Sequence, residues 1–209
     1  MITIEIENRR YYILSDGTKL PSITTILGSL EDNQRLIAWE NAVGTEEADR
    51  QRGLATRKGT TLHSLIEEYL RNGILPGDMM PNIQELFRQF LKSRHLIQKV
   101  YLQEEALYSV RLGIAGRVDC VCQWNNIDSI LDFKTSNYSK TEEEIHKYFI
   151  QSTAYALMYS EMFKTKITQI VIMIMVPGLK EPQIFVKNPK DYISGLIEKR
   201  NQFNEKFPI

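Results

Sequence analysis

The sequence predicts an α/β fold with a central mixed β-sheet that contains an antiparallel meander and is flanked by helices. Residues 100–135 form three runs rich in β-branched and aromatic residues, and tight turns join them, as is typical of a meander. A continuous apolar run at 167–176 predicts a buried strand beside it. Helices and one mixed sheet then pack as layers around a core. The clearest helical period is that of Leu62, Leu65, Ile66, Tyr69 and Leu70.

The first half of the chain predicts a hairpin followed by helices. Ser22 is a suitable N-cap for the first helix, because its hydroxyl can accept a hydrogen bond from the first turn. Gly44 and Gly53 interrupt the helical pattern that follows, and Gly59 precedes a clearer helix that ends at Asn72-Gly73. The expected segments are strands at 2–6 and 10–14, and helices from Ser22, at 33–43, at 46–57 and after Gly59.

The second half predicts the sheet and the helices that cover it. Each strand run is short and bounded by turn residues, whereas the helical runs are longer and carry an apolar stripe. The expected segments are a helix at 82–97, strands at 100–110, 114–124 and 127–135, a helix at 141–163, strands at 167–176 and 183–186, and a helix at 189–203.

Composition is that of an ordinary globular protein. The chain has 209 residues, of which 43% are hydrophobic and 25% charged. We expect one domain over residues 1–209, with the hairpin and helical region at about 1–58 as an elaboration. The 26 Lys and Arg balance the 26 Asp and Glu, so the chain is not a strongly basic, histone-like protein. A local basic groove for nucleic acid is still compatible with a neutral chain.

Cysteine usage bounds the cofactors and the compartment. Cys120 and Cys122 are the two cysteines of the chain, too few for the thiolates of an iron–sulfur cluster or a zinc ribbon. We therefore expect no such cluster, and a reducing cytoplasmic compartment. The longest apolar run, 170–177, is too short to cross a bilayer, so we expect no membrane association.

Acidic and basic side chains concentrate on two strands of the predicted meander. Asp132 and Lys134 are two residues apart, so they share one face of a strand. If the register matches, Asp119 on the preceding strand faces the same way. Carboxylates are hard ligands that suit Mg²⁺ or Mn²⁺, and a lysine beside them is typical of metal-assisted phosphodiester hydrolysis. The alternative is that all three are solvated side chains on a half-exposed sheet.

Two short motifs around these residues resemble the PD-(D/E)xK nuclease superfamily, and particularly its RecB-like branch. G-R-x-D ends at Asp119 and, after a hairpin, D-F-K-T begins at Asp132, in the order of the family's second and third motifs. The segment 21–27 is similar to the opening of small single-domain members, which include the mitochondrial genome maintenance exonuclease and related phage exonucleases. The resemblance covers roughly residues 20–176.

Further positions are similar to the RecB-like branch. His63 ends a G-x-x-x-H pattern on a helix. Glu104 lies fifteen residues before Asp119, where the branch often has a strand glutamate. Gln151 and Tyr155 match its Q-x-x-x-Y motif on the helix that follows the lysine strand. Together these positions extend the resemblance from the meander to two of the predicted helices.

The resemblance implies a restriction-endonuclease-like core and a Mg²⁺-dependent deoxyribonuclease, with Mn²⁺ as a substitute. It implies an exonuclease that hydrolyses phosphodiester bonds of single-stranded DNA or of free ends, in DNA replication, repair or recombination. Asp119, Asp132 and His63 would hold the metal, Lys134 would orient the attacking water, and Glu104 would line the site. A phage-encoded enzyme acting in a host cytoplasm is compatible with the small size.

Several of these positions have a plainer explanation. A histidine on an amphipathic helix, such as His63, is often a packed or surface residue. A register error of one residue would exchange Glu104 for its neighbour Glu105. Gln151 and Tyr155 would contact a DNA phosphate or support the metal site, or would be a core tyrosine beside a capping amide.

A basic stretch and the function itself also leave alternatives. Arg52 and Arg57 belong to a run of cations before His63 that could follow a nucleic-acid backbone or form a solvated helix face. A non-catalytic nucleic-acid-binding or recombination-accessory protein on the same fold is the alternative to an exonuclease. A sequence-specific restriction endonuclease is a third class. No motif in the sequence identifies a protein partner.

Overall fold

Eight β-strands and six α-helices make up the part of the chain that the structure describes, residues 1–31 and 34–208 of a computed structural model. The strands are β1 (Ile2–Ile6), β2 (Arg9–Ile13), β3 (Lys19–Pro21), β4 (Ile97–Ser109), β5 (Ile114–Trp124), β6 (Ile127–Thr135), β7 (Gln169–Met175) and β8 (Gln183–Lys187). The helices are α1 (Ile23–Ser29), α2 (Gln34–Val43), α3 (Thr45–Asn72), α4 (Pro81–Ser93), α5 (His146–Phe163) and α6 (Ile193–Lys206).

Strands β4 to β8 form one five-stranded sheet in chain order. β4, β5 and β6 pair antiparallel, β6 and β7 pair parallel across α5, and β8 pairs antiparallel at the edge. Asn125 and Asn126 have positive φ angles of 48° and 64° between β5 and β6, as a tight hairpin turn requires. The predicted mixed sheet with an antiparallel meander is confirmed.

Helices cover both faces of this sheet. On one face α1, α5 and α6 pack against a cluster that includes Ile130 and Ile172 of the sheet. On the other face α3 and α4 pack against Leu131, Phe133 and Val171. Because neighbouring residues of a strand point to opposite faces, each buried strand supplies both clusters. The result is a three-layer arrangement consistent with a restriction-endonuclease-like core.

A second sheet, β1-β2-β3, is antiparallel and packs against the main sheet, where Tyr12 and Leu20 cluster with Ala115. Ser22 directly follows β3 and forms a parallel bridge with Ala115 at the start of β5. Its hydroxyl also accepts a hydrogen bond of 3.0 Å from the Thr25 N–H, so the predicted N-cap of α1 is confirmed. Strand β3 was not predicted, since three residues are too few to show an alternation.

Helix α3 corrects the prediction of separate helices around Gly53 and Gly59. It is one helix of 28 residues that includes both glycines. A glycine in a helix costs only about 1 kcal/mol relative to alanine. Packing of Leu62 and Ile66 against the sheet offsets that cost, so local propensity does not break the helix. Gly44 precedes the helix and Gly73, with φ of 72°, ends it in the predicted left-handed conformation.

Other boundaries differ by a few residues. The helix predicted at 141–163 begins at His146, because 142–145 form a turn. The helix predicted at 82–97 ends at Ser93, and after a single 3-10 turn the strand begins at Ile97, before the predicted start at 100. Asn33, the predicted start of α2, lies outside the described residues. Among the helices of the described ranges, none has the length and apolarity needed to cross a membrane.

Candidate active site

Strands β5 and β6 separate where the predicted acidic residues lie. Their ladder runs from Trp124 opposite Ile127 to Cys120 opposite Leu131 and stops there. Asp119 therefore does not pair with the strand residue opposite it. Its Oδ2 instead accepts a hydrogen bond of 2.9 Å from the main-chain N–H of Phe133 on β6. A side-chain bond replaces the ladder at this point and holds the Asp119 carboxylate between the two strands.

The usual alternation of side chains also breaks at Asp119. Val118 packs in the cluster under α5, whereas Cys120 packs in the cluster under α3, although regular alternation would give both the same face. Asp119 is the residue between them, and its side chain is 13% exposed. The local irregularity lets groups from both faces of the sheet approach one carboxylate.

His63, Glu104 and Asp119 form a cluster that could hold a metal ion. One ligand atom from each lies within 4.8 Å of the others. Nδ1 of His63 is 3.6 Å from Oδ2 of Asp119 and 3.8 Å from Oε1 of Glu104. Helix α3, strand β4 and strand β5 supply one residue each. Residues far apart in the sequence thus present two oxygens and one nitrogen to the same point.

The imidazole of His63 contacts an aromatic ring as well as the two carboxylates. The imidazole of His63 packs edge-on against Phe133, with ring centroids 6.1 Å apart. Burial lowers the pKa of His63, but the neighbouring Glu104 and Asp119 more than compensate, so its pKa is raised above the usual value. Phe133 itself is buried on the face opposite Asp132 and Lys134, as the strand period predicts.

Glu104 has an unusual backbone conformation for a strand residue. Its φ is 50°, in the left-handed region that a glutamate rarely adopts. The flanking Gln103 and Glu105 still pair with Cys120 and Val118, so the strand continues on both sides. Oε2 of Glu104 also contacts Nε of Arg117 at 3.0 Å. Glu105 is exposed, so Glu104 is the glutamate that reaches the cluster.

Asp132 and Lys134 form an ion pair on the α5 side of the sheet. Nζ of Lys134 lies 2.5 Å from Oδ2 of Asp132, whose side chain is only 1% exposed. Burial raises the pKa of Asp132 to about 6, although Lys134 opposes the shift. Burial also lowers the pKa of Lys134, but the carboxylates of Asp132 and Asp119 reverse this, and its pKa is raised overall. The lysine therefore keeps its charge in a low-dielectric setting.

Gln151 and Tyr155 connect this pair to helix α5. Nε2 of Gln151 is 3.3 Å from Oδ1 of Asp132 and 3.2 Å from the hydroxyl of Tyr155. Both residues are buried, and both line the cleft described below. Gly116 makes room for Tyr155, because a Cβ there would lie 2.8 Å from the Tyr155 ring. Gln151 therefore contacts a predicted metal ligand, and its role at a metal site or at a DNA phosphate stays a prediction.

The donor set fits a divalent cation. Carboxylate oxygens suit Mg²⁺ and Mn²⁺, and imidazole is a common ligand of transition-metal ions. Within the described chain, the buried Oδ2 of Asp132 receives no hydrogen bond; the Lys134 ammonium contacts it as an ion pair without hydrogen-bond geometry. The sequence predicted Asp132, Asp119 and His63 as the metal ligands. In the structure, the residue that lies in one cluster with His63 and Asp119 is Glu104.

A cleft of about 600 Å³ opens over these groups and contains residues that the sequence did not single out. His63, Glu104 and Asp119 line it on one side, with Arg10 and Arg117 also exposed to it. Arg117 is the arginine of the G-R-x-D motif, so its position beside Asp119 could have indicated it. Arg10 lies on another sheet, and no sequence signal connects it to this site.

The arginines of the predicted basic stretch lie outside the cleft. Arg52 contacts Glu40 at 3.0 Å and Asp49 at 2.7 Å, and these carboxylates neutralise it. Arg57 is exposed on α3. Neither is among the residues that line the cleft. Their contact with nucleic acid stays a prediction.

Comparisons with known proteins give remote structural likenesses. No family model matches the chain, and no curated protein matches its sequence. The crystal structure of SSO0001 aligns with a TM-score of 0.49 and 14% identity over 89% of this chain and 75% of that one. A phage-related exonuclease from Haemophilus somnus 129PT aligns with a TM-score of 0.42 and 12% identity over 70% of this chain and 78% of that one. Likenesses this remote do not bear on what the chain does.

Proposed function

We propose that the chain is a metal-dependent DNA exonuclease of the PD-(D/E)xK superfamily, in its RecB-like branch. One observation carries the proposal: the His63–Glu104–Asp119 cluster lies beside the Asp132–Lys134 ion pair, at the point where two strands of one sheet separate. Asp119 joins the two groups through its bond to the Phe133 N–H. Acids, an imidazole and an ammonium in one cleft are the groups that metal-assisted phosphodiester hydrolysis uses.

The residues of the site divide the work. Asp119, Asp132 and His63 are the proposed ligands, with Glu104 as a further candidate from the cluster. A divalent cation held there supplies Lewis-acid chemistry, which activates a water and screens phosphate charge. Lys134 orients the attacking water and stabilises the negative charge that develops on the phosphate. Its ammonium is a compact charge held by Asp132, so it needs little reorganisation during the reaction.

Gln151 and Tyr155 are positioning residues in this proposal. The Gln151 amide donates to Asp132, and the Tyr155 hydroxyl lies within hydrogen-bond distance of the same amide. These bonds fix the carboxylate against helix α5 and leave its second oxygen to the ion pair. Both side chains also line the cleft, so the proposed contact with a DNA phosphate is compatible with their places.

A cleavage assay tests the proposal. Labelled single-stranded and duplex DNA are incubated with Mg²⁺, Mn²⁺ or EDTA, and the products are separated by length. We expect progressive shortening from free ends with either metal, and intact DNA in EDTA. Lys134→Ala removes the proposed activating charge and should lower the rate by at least about a hundredfold. Lys180→Ala, a change at an exposed lysine outside the cleft, is the control and should cleave like the wild type.

Other products would point to the alternative functions. DNA binding without cleavage under every metal condition would favour a recombination-accessory protein. Discrete fragments from long duplexes would favour a restriction endonuclease. Progressive shortening would support a role in DNA replication, repair or recombination.

A further inference from the structure

The wall of the cleft opposite helix α3 carries Arg10, a cation with no ion-pair partner in the part of the chain that the structure describes. Neither its sequence neighbour Arg9 nor its cross-strand neighbour Glu5 neutralises this charge. Arg9 is paired with Glu7 at 2.9 Å, and its guanidinium also lies 3.8 Å above the ring of Phe207. Glu5 is the cross-strand partner of Arg10, yet it forms no ion pair with it. The Arg10 charge is therefore available to a ligand in the cleft.

The main chain fixes where Arg10 stands. Its N–H donates to the hydroxyl of Thr25 at 2.9 Å, and its carbonyl accepts a 2.9 Å bond from the Ser22 N–H. Ser22 in turn bridges to Ala115 on β5. Arg10 thus lies two strand spacings, or about 10 Å, from β5, which carries Asp119. Arg10 also lines a second cavity, which none of the three cluster residues line, so a phosphate held by Arg10 at that end would differ from one at the metal cluster.

The cleft also continues past Arg10. A second cavity of about 420 Å³ lies between the N-terminal hairpin and α1, and Arg10 and Thr24 line both cavities. Besides Arg10, the second cavity is lined by the Glu7–Arg9 ion pair and by Glu5, whose carboxylate would repel a polyanion. The favourable place for a phosphate is therefore the junction of the two cavities, where Arg10 stands.

We propose that Arg10 binds a second phosphate of the nucleic-acid strand, one that flanks the phosphate at the metal cluster. This inference rests on the proposed nuclease function and makes the N-terminal sheet part of the substrate-binding surface. An arginine is suited to the task, because its planar guanidinium matches phosphate oxygens and stays charged at any working pH. The backbone contacts to Ser22 and Thr25 fix the main chain of Arg10 at this junction.

The test is the salt dependence of binding. Affinity for a short single-stranded DNA is measured in EDTA by fluorescence anisotropy, from about 0.15 M to about 1 M salt, for wild type, Arg10→Ala and Arg10→Lys. One lost phosphate contact lowers the slope of log K against log salt by about 0.7, which is roughly fourfold in affinity across that range. Arg10→Lys keeps the charge and should keep the slope. Arg88→Ala removes an exposed arginine of α4 outside both cavities and is the matched control.

The outcomes separate this inference from the function on which it rests. A wild type that cleaves DNA while Arg10→Ala retains the full slope overturns the second phosphate site alone. If the slope of log K against log salt falls as much in Arg10→Lys as in Arg10→Ala, the second phosphate site is also overturned. The change in slope would then not depend on the charge at position 10. A wild type that neither binds nor cleaves DNA overturns both proposals.

Discussion

Glu104 holds a left-handed backbone conformation in the middle of a strand. Such a conformation costs an L-residue with a Cβ about 1–2 kcal/mol, and it is kept only where the surroundings impose it. Here the flanking ladder with β5 continues on both sides, and the side chain contacts His63 and Arg117. The strained residue is thus also the one that completes the three-residue cluster, which is where stored backbone strain is most often found.

Glu104→Ala and Glu105→Ala form a matched pair for the role of this residue. Glu104→Ala removes one of the three candidate ligands, so we expect cleavage to fall by at least about tenfold, since even outer partners of a bound metal are worth about 10–100-fold. Glu105→Ala removes an exposed carboxylate one position away and should leave the rate unchanged. Initial rates at several Mg²⁺ concentrations measure both. Equal rates for the two variants would remove Glu104 from the site.

The sequence could not decide between these two glutamates, for a reason that the structure makes plain. Strand β4 has two register shifts against β5, between Ile97 and Val100 and between Val100 and Leu102. A shift of one residue exchanges the faces of the residues beyond it, and the left-handed backbone of Glu104 breaks the alternation again. Nothing in the sequence marks either shift. Asp132 and Lys134 lie on a regular part of β6, so their common face could be predicted from spacing alone.

At the scale of elements, helix α3 carries His63 and spans 28 residues through two internal glycines. Gly53→Ala should stabilise the protein by about 0.5–1 kcal/mol, because alanine loses less backbone entropy in a helix. An added Cβ would meet only the end of Arg57, at 3.7 Å, which is an ordinary contact. Urea unfolding followed by circular dichroism measures the change.

Gly44→Ala is the control for that substitution. Gly44 has φ of 87° and ψ of 147° just before the helix, a region that is almost restricted to glycine. A Cβ there meets no neighbour, so only the backbone conformation opposes it. We expect a loss of about 1–3 kcal/mol. If both variants changed stability in the same direction, the continuous helix through Gly53 would be in doubt.

Elements were predictable where the local pattern and the tertiary packing agree. The meander combines alternating strands with an Asn125-Asn126 turn, and both signals favour the same structure. The long α3 was not predicted, because the glycine signal is local whereas the packing of Leu62 and Ile66 that overrides it is tertiary. The short β3 depends on its pairing with β2 and left no signal of its own.

At the scale of the whole molecule, the three cluster residues come from a helix and two strands, so a cation bound there would connect one helical layer to the sheet. Because these residues are far apart in the sequence, the sequence alone could not predict the whole site. The family resemblance suggested His63, Glu104 and Asp119 one by one, but which of the candidate ligands lie together depends on where β5 and β6 separate. Arg10 belongs to a different sheet, which reaches the cleft through the Ser22 bridge and the packing of Tyr12 and Leu20 against Ala115.

Cation binding should therefore stabilise the folded chain as a unit. A ligand at about a hundred times its dissociation constant adds about 2.7 kcal/mol to the free energy of unfolding. For a chain of this size that corresponds to a rise in Tm of roughly 5–10 °C. Thermal unfolding with saturating Mn²⁺ and with EDTA measures the difference for each variant. Glu105→Ala should keep the rise, because its carboxylate is exposed and outside the cluster.

Asp119→Ala is the variant that decides the origin of this stabilisation. It loses a candidate ligand together with the bond to the Phe133 N–H, so its Tm in EDTA should already be lower. The informative quantity is the rise in Tm when Mn²⁺ is added to the same variant. The lower Tm in EDTA does not affect this difference. We expect the rise to vanish, because two remaining ligands of the cluster bind a divalent cation far more weakly. A rise as large as that of the wild type would mean that the cation binds elsewhere, and that the cluster between α3, β4 and β5 does not hold it.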